Sequence, residues 1–171
     1  MYKEFDFCEV SQELLQQLQK GAFLTVKSGN KVNTMTIAWG SLGYMWNRPV
    51  FTAMVRYSRY TYELIKDASE FTVSFPLKGQ LDRTLSVCGT KSGRDIDKFK
   101  ECSLTLKEGV STETPIIDDC DLHLECRIVY SQEMNAEKLD GKIKGSSYPE
   151  GNYHVFYFGE IVKVYRKEVW V

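Results

Sequence analysis

Residues 22–39 read AFLTVK, then SGNK, then VNTMTIAW. Two runs rich in strand formers flank four turn-prone residues, the signature of a hairpin. In the second run Met35, Ile37 and Trp39 alternate with Thr34, Thr36 and Ala38. One face of that strand is apolar, and the other is small and able to hydrogen-bond. Such a face either admits a flat ligand to the backbone or simply meets solvent. Before the hairpin, residues 11–20 read as a helix, with Ser11 as N-cap, Leu14, Leu15 and Leu18 as its stripe, Val10 and Leu15 as a staple and Gly21 at its end. After it, residues 49–57 (PVFTAMVRY) are almost continuously apolar, as in a strand covered on both sides. A short helix follows over 62–68. Phe71, Val73 and Phe75 alternate in a strand that Pro76 ends, and Leu81, Leu85 and Cys88 suggest a helix closed by Gly89. Leu122, Leu124, Cys126, Ile128 and Tyr130 alternate with His123, Glu125 and Arg127, which read as a solvent face. The last long strand spans 153–165. Many strands with a few short helices indicate a mainly β, α+β fold built as a barrel or sandwich.

The chain has 171 residues, 43% hydrophobic and 26% charged, which suits one domain over 1–171 that needs no metal or disulfide to hold it. With 22 basic and 23 acidic residues the net charge is −1, which argues against a nucleic-acid binder. No apolar run approaches the ~20 residues of a membrane helix, and the first residues lack the apolar stretch of a signal peptide, so a cytoplasmic protein is expected. The five cysteines, at 8, 88, 102, 120 and 126, show no C-x-x-C spacing and are expected reduced. Cys88, near Lys91 and Arg94, is the best candidate for a reactive thiol, although a small buried hydrophobe is the preferred reading. No Gly-x-Gly-x-x-Gly follows a strand, no nucleophile elbow stands out, and two histidines without matching carboxylates do not make a metal centre.

Three segments could carry chemistry. In Arg56-Tyr57-Ser58-Arg59-Tyr60-Thr61-Tyr62-Glu63 a buried strand emerges and a helix begins at Thr61. Ser58 and Thr61 hydroxyls and the charges of Arg56 or Arg59 could receive a phosphate there. Alternatively Thr61 only caps the helix and both arginines are solvated. Lys91-Ser92-Gly93-Arg94-Asp95-Ile96-Asp97-Lys98-Phe99 is either a mobile lid over a pocket or a solvated turn. Of the histidines, His123 reads as a surface residue and His154 opens the last strand.

The ordered set resembles the flavin reductase-like, FMN-binding split-barrel family, most closely its flavoredoxin branch. Asn33-Thr34-Met35-Thr36-Ile37-Ala38-Trp39 with Arg48-Pro49 resembles the family's Asn-x-Met-Thr…Trp strand. Arg56 to Thr61 resembles its Arg…Arg-Tyr-Thr segment, Ser92 to Phe99 its Ser-Gly-Arg-Asp-x-Asp-Lys-Phe loop, and His154 with Gly159-Glu160-Ile161 its His…Gly-Glu strand. The likeness covers about residues 10–165.

This resemblance implies a six-stranded split barrel that forms a homodimer, with FMN near the subunit interface. Asn33, Thr34, Met35, Thr36 and Trp39 would line the isoalloxazine ring. Ser58, Arg59 and Thr61 would take the phosphate, with Arg56 adding charge. Ser92, Gly93, Arg94 and Lys98 would lie by the flavin edge, and His154 near the ring or an incoming nicotinamide. Lys98 and His154 are then the catalytic candidates, Lys98 as the cation that favours the reduced, anionic flavin. The implied activity is flavin reduction by NADH or NADPH, or flavin-mediated electron transfer. The alternative is a flavin-binding electron carrier that works beside a redox partner protein without reductase activity of its own. A third class is a barrel that has lost flavin chemistry, such as a haem or pyridoxal-phosphate relative.

Overall fold

The computed structural model describes residues 2–168. Strand β1 (Tyr2–Glu4) leads into helix α1 (Phe7–Leu18). The helix starts a full turn before Ser11, because Asp6 caps it. The Asp6 side chain accepts from the Cys8 N–H while Glu9 accepts from the Asp6 N–H, a reciprocal capping box. Ser11 lies inside the helix and donates back to the Cys8 carbonyl. Val10, Leu14 and Leu18 carry the buried face, whereas Leu15 is 42% exposed and staples nothing.

The first hairpin forms as read, β2 (Ala22–Ser28) against β3 (Lys31–Ile37), with Trp39 beyond the strand's end. A second hairpin, β4 (Gly40–Met45) against β5 (Arg48–Arg56), is not announced by the sequence. Its turn residues Trp46 and Asn47 have φ of 53° and 58°, which matches the twist of hairpin strands. A Trp in that conformation gives no turn signal. Helix α2 (Tyr60–Ile65) and strand β6 (Glu70–Phe75) follow, then α3 (Asp82–Thr90), which runs through Gly89 rather than ending there. Next come α4 (Lys98–Glu101) and a small ribbon of β7 (Leu106–Lys107) and β8 (Ile116–Ile117). The chain continues through β9 (Leu122–Glu133), α5 (Gly141–Ser147) and β10 (His154–Lys167).

The main sheet runs β3-β2-β6-β9-β10-β5-β4, with β1 added on β10. Residues from every strand on that path pack into one core, among them Leu24, Met35, Leu42, Phe51, Phe71, Leu124 and Val155. The sheet therefore curls around its own apolar face, and its end strands β3 and β4 are not neighbours in the ladder. This is the mainly β, split-barrel architecture expected, with eight strands in its sheet instead of six. Curling needs a close approach at Gly159, where the β9–β10 register shifts. A Cβ there would stand 2.5 Å from Phe71 Cζ and 2.7 Å from Cys126 Cβ, so only glycine lets β10 bend over the core.

The alternation in β9 misleads at two positions. His123 and Glu125 are completely buried, and only Arg127 of the supposed solvent face is exposed. Residues of the 103–121 excursion cover that face. Glu125 accepts from the backbone N–H of Val110, Ser111 and Thr112 at 2.6, 2.7 and 2.7 Å, and from the Thr112 and Tyr165 hydroxyls. A period-two pattern records that a second face is polar, and cannot record that a later loop folds over it.

Candidate functional site

A groove runs outside β3, between the 56–61 segment and the 89–98 segment. It consists of two adjoining hollows that share Met35 and Arg59. The wider, about 180 Å³, is bordered by Thr36, Trp39, Met54, Arg56 and His154. The narrower, about 100 Å³, is bordered by Asn33, Ser58, Tyr60, Thr61, Ser92, Gly93, Arg94 and Lys98. Every site residue suggested by the sequence borders one hollow or the other, except Thr34. That side chain is fully buried, and its hydroxyl donates to the Leu24 carbonyl at 3.2 Å.

Arg56 ends β5 directly across the ladder from His154. Its guanidinium stacks 4.8 Å from the Tyr148 ring and 5.9 Å from the Trp39 ring. It donates to the carbonyls of Asn152 at 2.9 Å and Ser147 at 3.1 Å. Arg59 donates to the Gly89 carbonyl at 2.9 Å. Among the described residues the arginine ion pairs involve Arg48, Arg94 and Arg166, so Arg56 and Arg59 bring positive charge that no carboxylate offsets. His154 is 7% exposed, its ring tilted 5.5 Å from Trp39, and its Nδ1 shares a 2.7 Å hydrogen bond with the Tyr148 hydroxyl. Burial, then the Arg56 and Arg59 charges, push its pKa down to about 4. The imidazole is neutral at pH 7.

The narrow end differs from the expected cap-and-phosphate arrangement. Helix α2 has Arg59 at its N-cap with no side-chain cap bond. Thr61 sits inside the first turn, 1% exposed, and its hydroxyl accepts from Asn33 Nδ2 at 2.9 Å. It is a buried tie to β3 and not a cap. Ser58 is held by Asn152 through its N–H at 3.2 Å and its hydroxyl at 2.9 Å. The 91–97 loop is not a free turn. Arg94 pairs with Glu63 at 2.5 Å and donates to the Ser58 carbonyl at 3.3 Å, latching the loop onto α2. A Cβ at Gly93 would lie 2.1 Å from Asn33 Oδ1 and 2.9 Å from Tyr60 Cδ1, so only glycine permits this approach.

Lys98 begins α4 and is 4% exposed. Its Nζ donates to the carbonyls of Thr34 at 2.9 Å and Cys88 at 2.7 Å, which joins β3 to α3. Burial lowers its pKa, the Cys88 thiol opposes that, and Arg59 adds to it. Two of the three ammonium N–H groups are thus engaged, on a side chain that borders the narrow hollow. Thr36 donates to the Leu85 carbonyl at 2.6 Å, and Trp39 is 47% exposed. Cys88 is 1% exposed, and burial, then Cys102, push its thiol up to about 12. It packs as a small hydrophobe with Phe23 and Leu85 and is not a reactive thiol.

Two residues of the site carry no sequence signal of their own. Tyr148 and Asn152 come from the connection before β10, where Gly151 and Asn152 have φ of 76° and 55° and turn the chain back. The Gly151-Asn152 pair is the one hint that Tyr148 returns to His154.

The donor set fits a ligand that is anionic at one end and flat at the other. Positive charge without a carboxylate partner lies at Arg56 and Arg59, hydroxyl and amide groups line the narrow hollow, and a half-exposed indole stands by a strand of small residues. The flavin reductase like domain matches residues 19–169. An uncharacterized protein of Archaeoglobus fulgidus is 34% identical over 117 residues, which are 68% of this chain and 65% of that protein, so the match spans just under two thirds of the relative. The crystal structure of a flavoredoxin from Methanosarcina acetivorans is similar with a TM-score of 0.69 and 28% identity, covering 88% of this chain and 70% of that one. An FMN-binding domain of a flavin reductases-like enzyme from Shewanella baltica shares the fold, with a TM-score of 0.71 at 17% identity, over 97% of this chain and 77% of that one. With nearly all of its length matched, the chain belongs to the flavin reductase like family.

Proposed function

We propose that this chain, one domain over 1–171, binds FMN in the groove beside β3 and serves as an oxidoreductase reduced by NADH or NADPH. The observation that carries the reading is the arginine pair without a carboxylate partner: Arg59 stands where the wide hollow meets the narrow one, and Arg56 borders the wide one. The narrow hollow would take the phosphate, with Arg59 supplying charge and Ser92, Gly93 and Arg94 closing around it. The side chains of Met35, Thr36 and Trp39, with the β3 backbone, would hold the ring. Bound FMN supplies two-electron redox chemistry that no side chain here supplies. Lys98 fixes β3 against α3 and places a cation beside the groove, while His154 presents a neutral imidazole at its rim.

A second reading has its own support. The flavoredoxin of Methanosarcina acetivorans is 28% identical to this chain, which favours an electron carrier that passes electrons to a redox partner protein. The two hollows, about 180 and 100 Å³, lie at or below the low end of the roughly 300–1,000 Å³ of common ligand pockets, so one chain alone would leave part of the cofactor uncovered. A second subunit would cover it. Tyr44, Trp46 and Tyr130 are 64%, 58% and 45% exposed, and a homodimer interface rich in aromatic residues fits them.

Equilibrium dialysis tests the binding. FMN is expected to bind at least tenfold more tightly than riboflavin, the scale of one charge-assisted contact; equal affinities would remove the phosphate site. Anaerobic mixing of the FMN-loaded protein with NADH and NADPH separates reductase from carrier. Sedimentation that shows only monomer at micromolar concentration would overturn the dimer.

A further inference from the structure

The connection that brings Tyr148 to His154 is bolted down on both sides. Arg56 donates to carbonyls at each end of it, Ser147 and Asn152, and the Asn152 side chain clasps Ser58. Tyr148 is 4% exposed, sandwiched between the Arg56 guanidinium at 4.8 Å and the Tyr153 ring at 5.0 Å. Among the described residues its hydroxyl has one hydrogen-bond partner, His154 Nδ1.

That geometry decides where the protons lie. If Nδ1 carried the hydrogen and donated to the phenol oxygen, the phenol's own proton would be left in a buried site without an acceptor. With the phenol as donor both groups are satisfied, and the neutral ring carries its hydrogen on Nε2. The charged and titratable groups that face the ring are Arg56 from β5, Arg59 ahead of α2, and Tyr148 itself. Both arginines oppose a second proton.

We propose that Tyr148 is a positioning residue: its hydroxyl holds His154 in the Nε2–H form, so that the rim of the groove, which Arg56 and Arg59 also border, offers one neutral donor to an acceptor oxygen of whatever reacts beside the cofactor. The proposal rests on the flavin reading for its role, but not for its geometry. A ligand with a carbonyl or carboxylate oxygen is preferred at this rim over one that presents a donor there.

The test is the ¹⁵N spectrum of the imidazole rings in the protein without FMN, and the chain has only two histidines to assign. For His154 the expected pattern is a single neutral tautomer protonated at Nε2. Tyr148→Phe keeps the ring stacking and removes the hydroxyl, and is expected to give an average of both tautomers. An Nδ1–H tautomer in the unsubstituted protein, or an unchanged spectrum in Tyr148→Phe, overturns the proposal. If Tyr148→Phe does not fold, the spectrum of the unsubstituted protein decides alone. Adding FMN separates the two claims: absence of binding strikes the flavin reading and leaves the tautomer result standing. Where FMN binds and NADH reduces it, Tyr148→Phe is expected to hold FMN affinity within about twofold and slow reduction by about tenfold or more, the direction set by a misplaced imidazole proton. Equal reduction rates overturn the assigned role.

Discussion

A polar cluster buried behind β9 and another beside β3 and β10 share a motif. Each contains a histidine whose Nδ1 is held by a hydroxyl, His123 by Ser74 at 3.0 Å and His154 by Tyr148 at 2.7 Å. Burial is the first cause that pushes both to a pKa of about 4. The clusters differ in how their charge is met. Behind β9 the Glu125 carboxylate is surrounded by donors from three consecutive backbone N–H groups and two hydroxyls. Beside β3 the charges are Arg56, Arg59 and Lys98, and the groups that meet them are neutral carbonyls. Charge answered fully from within holds a scaffold together. Charge answered only by dipoles leaves a field that a ligand of opposite sign can fill.

The strongest way to break the contrast is at Glu125. Glu125→Leu removes a fully buried carboxylate and leaves the buried Thr112 N–H, the part-buried Val110 and Ser111 N–H groups and a buried tyrosine hydroxyl without their acceptor, and is expected to cost about 3–5 kcal/mol of folding stability. That is a large part of the roughly 5–15 kcal/mol available to a domain. Urea unfolding measures it. The fraction that remains folded should bind FMN with unchanged affinity, since the cluster lies outside the groove. A loss below about 1 kcal/mol would mean that the 103–121 excursion does not depend on this anchor.

Arg59 tests the other side. Arg59→Met keeps the aliphatic stem and removes the charge. FMN affinity is expected to fall by about 1.5–3 kcal/mol, the scale of hydrogen bonds to charged groups, while riboflavin affinity holds and the unfolding midpoint moves little. Dialysis against both ligands reads this directly. A parallel fall for riboflavin would place Arg59 at the ring instead of the phosphate.

How far this contrast can be read from the sequence depends on which residues act locally. The hairpin of 22–39, the apolar run before Arg56 and the strand ended by Pro76 each express a periodicity that their own neighbours enforce, and all three form. The β4–β5 turn stays hidden because Trp46 and Asn47 adopt positive φ without a glycine. The cap of α1 is misplaced because Asp6 and Glu9 form a box that begins before the apolar stripe. His123 and Glu125 look solvent-facing until a distant loop covers them. Within the groove the motif residues are legible and their engagements are not. Nothing local says that Thr61 ties to Asn33, or that Lys98, read as a loop cation, is instead a buried brace. Tyr148 acquires its role only through the turn at Gly151 and Asn152.

Lys98 follows in size. Lys98→Met retains much of the packing but strands the carbonyls of Thr34 and Cys88, which now accept its two bonds. A loss of about 1–2 kcal/mol of stability is expected, together with a lower midpoint potential for the bound flavin. Unfolding and a redox titration, run side by side, separate brace from electrostatic role. A change in stability with overlapping redox curves would make Lys98 a brace alone.

The finest distinction lies between the two histidines in acid. Each has a folded pKa near 4 against an unfolded value near 6.5. Between those values the unfolded chain binds a proton that the folded chain refuses, so stability falls as pH drops from about 6.5 to 4 and levels off below. Both rings contribute to that loss in the protein alone. An anion seated beside Arg59, in the groove that Arg56 also borders, would offset the charges that hold His154 down, and would leave His123 untouched. Bound FMN is therefore expected to raise the His154 midpoint by about half a unit to one unit, worth roughly 1 kcal/mol, and to leave His123 where it was. The ring-proton shifts of the two histidines, followed by NMR from pH 7 to 4 with and without FMN, measure both at once. Equal displacement of the two midpoints would mean that binding acts through the whole fold, and the groove would lose its claim to be the electrostatic partner of the ligand.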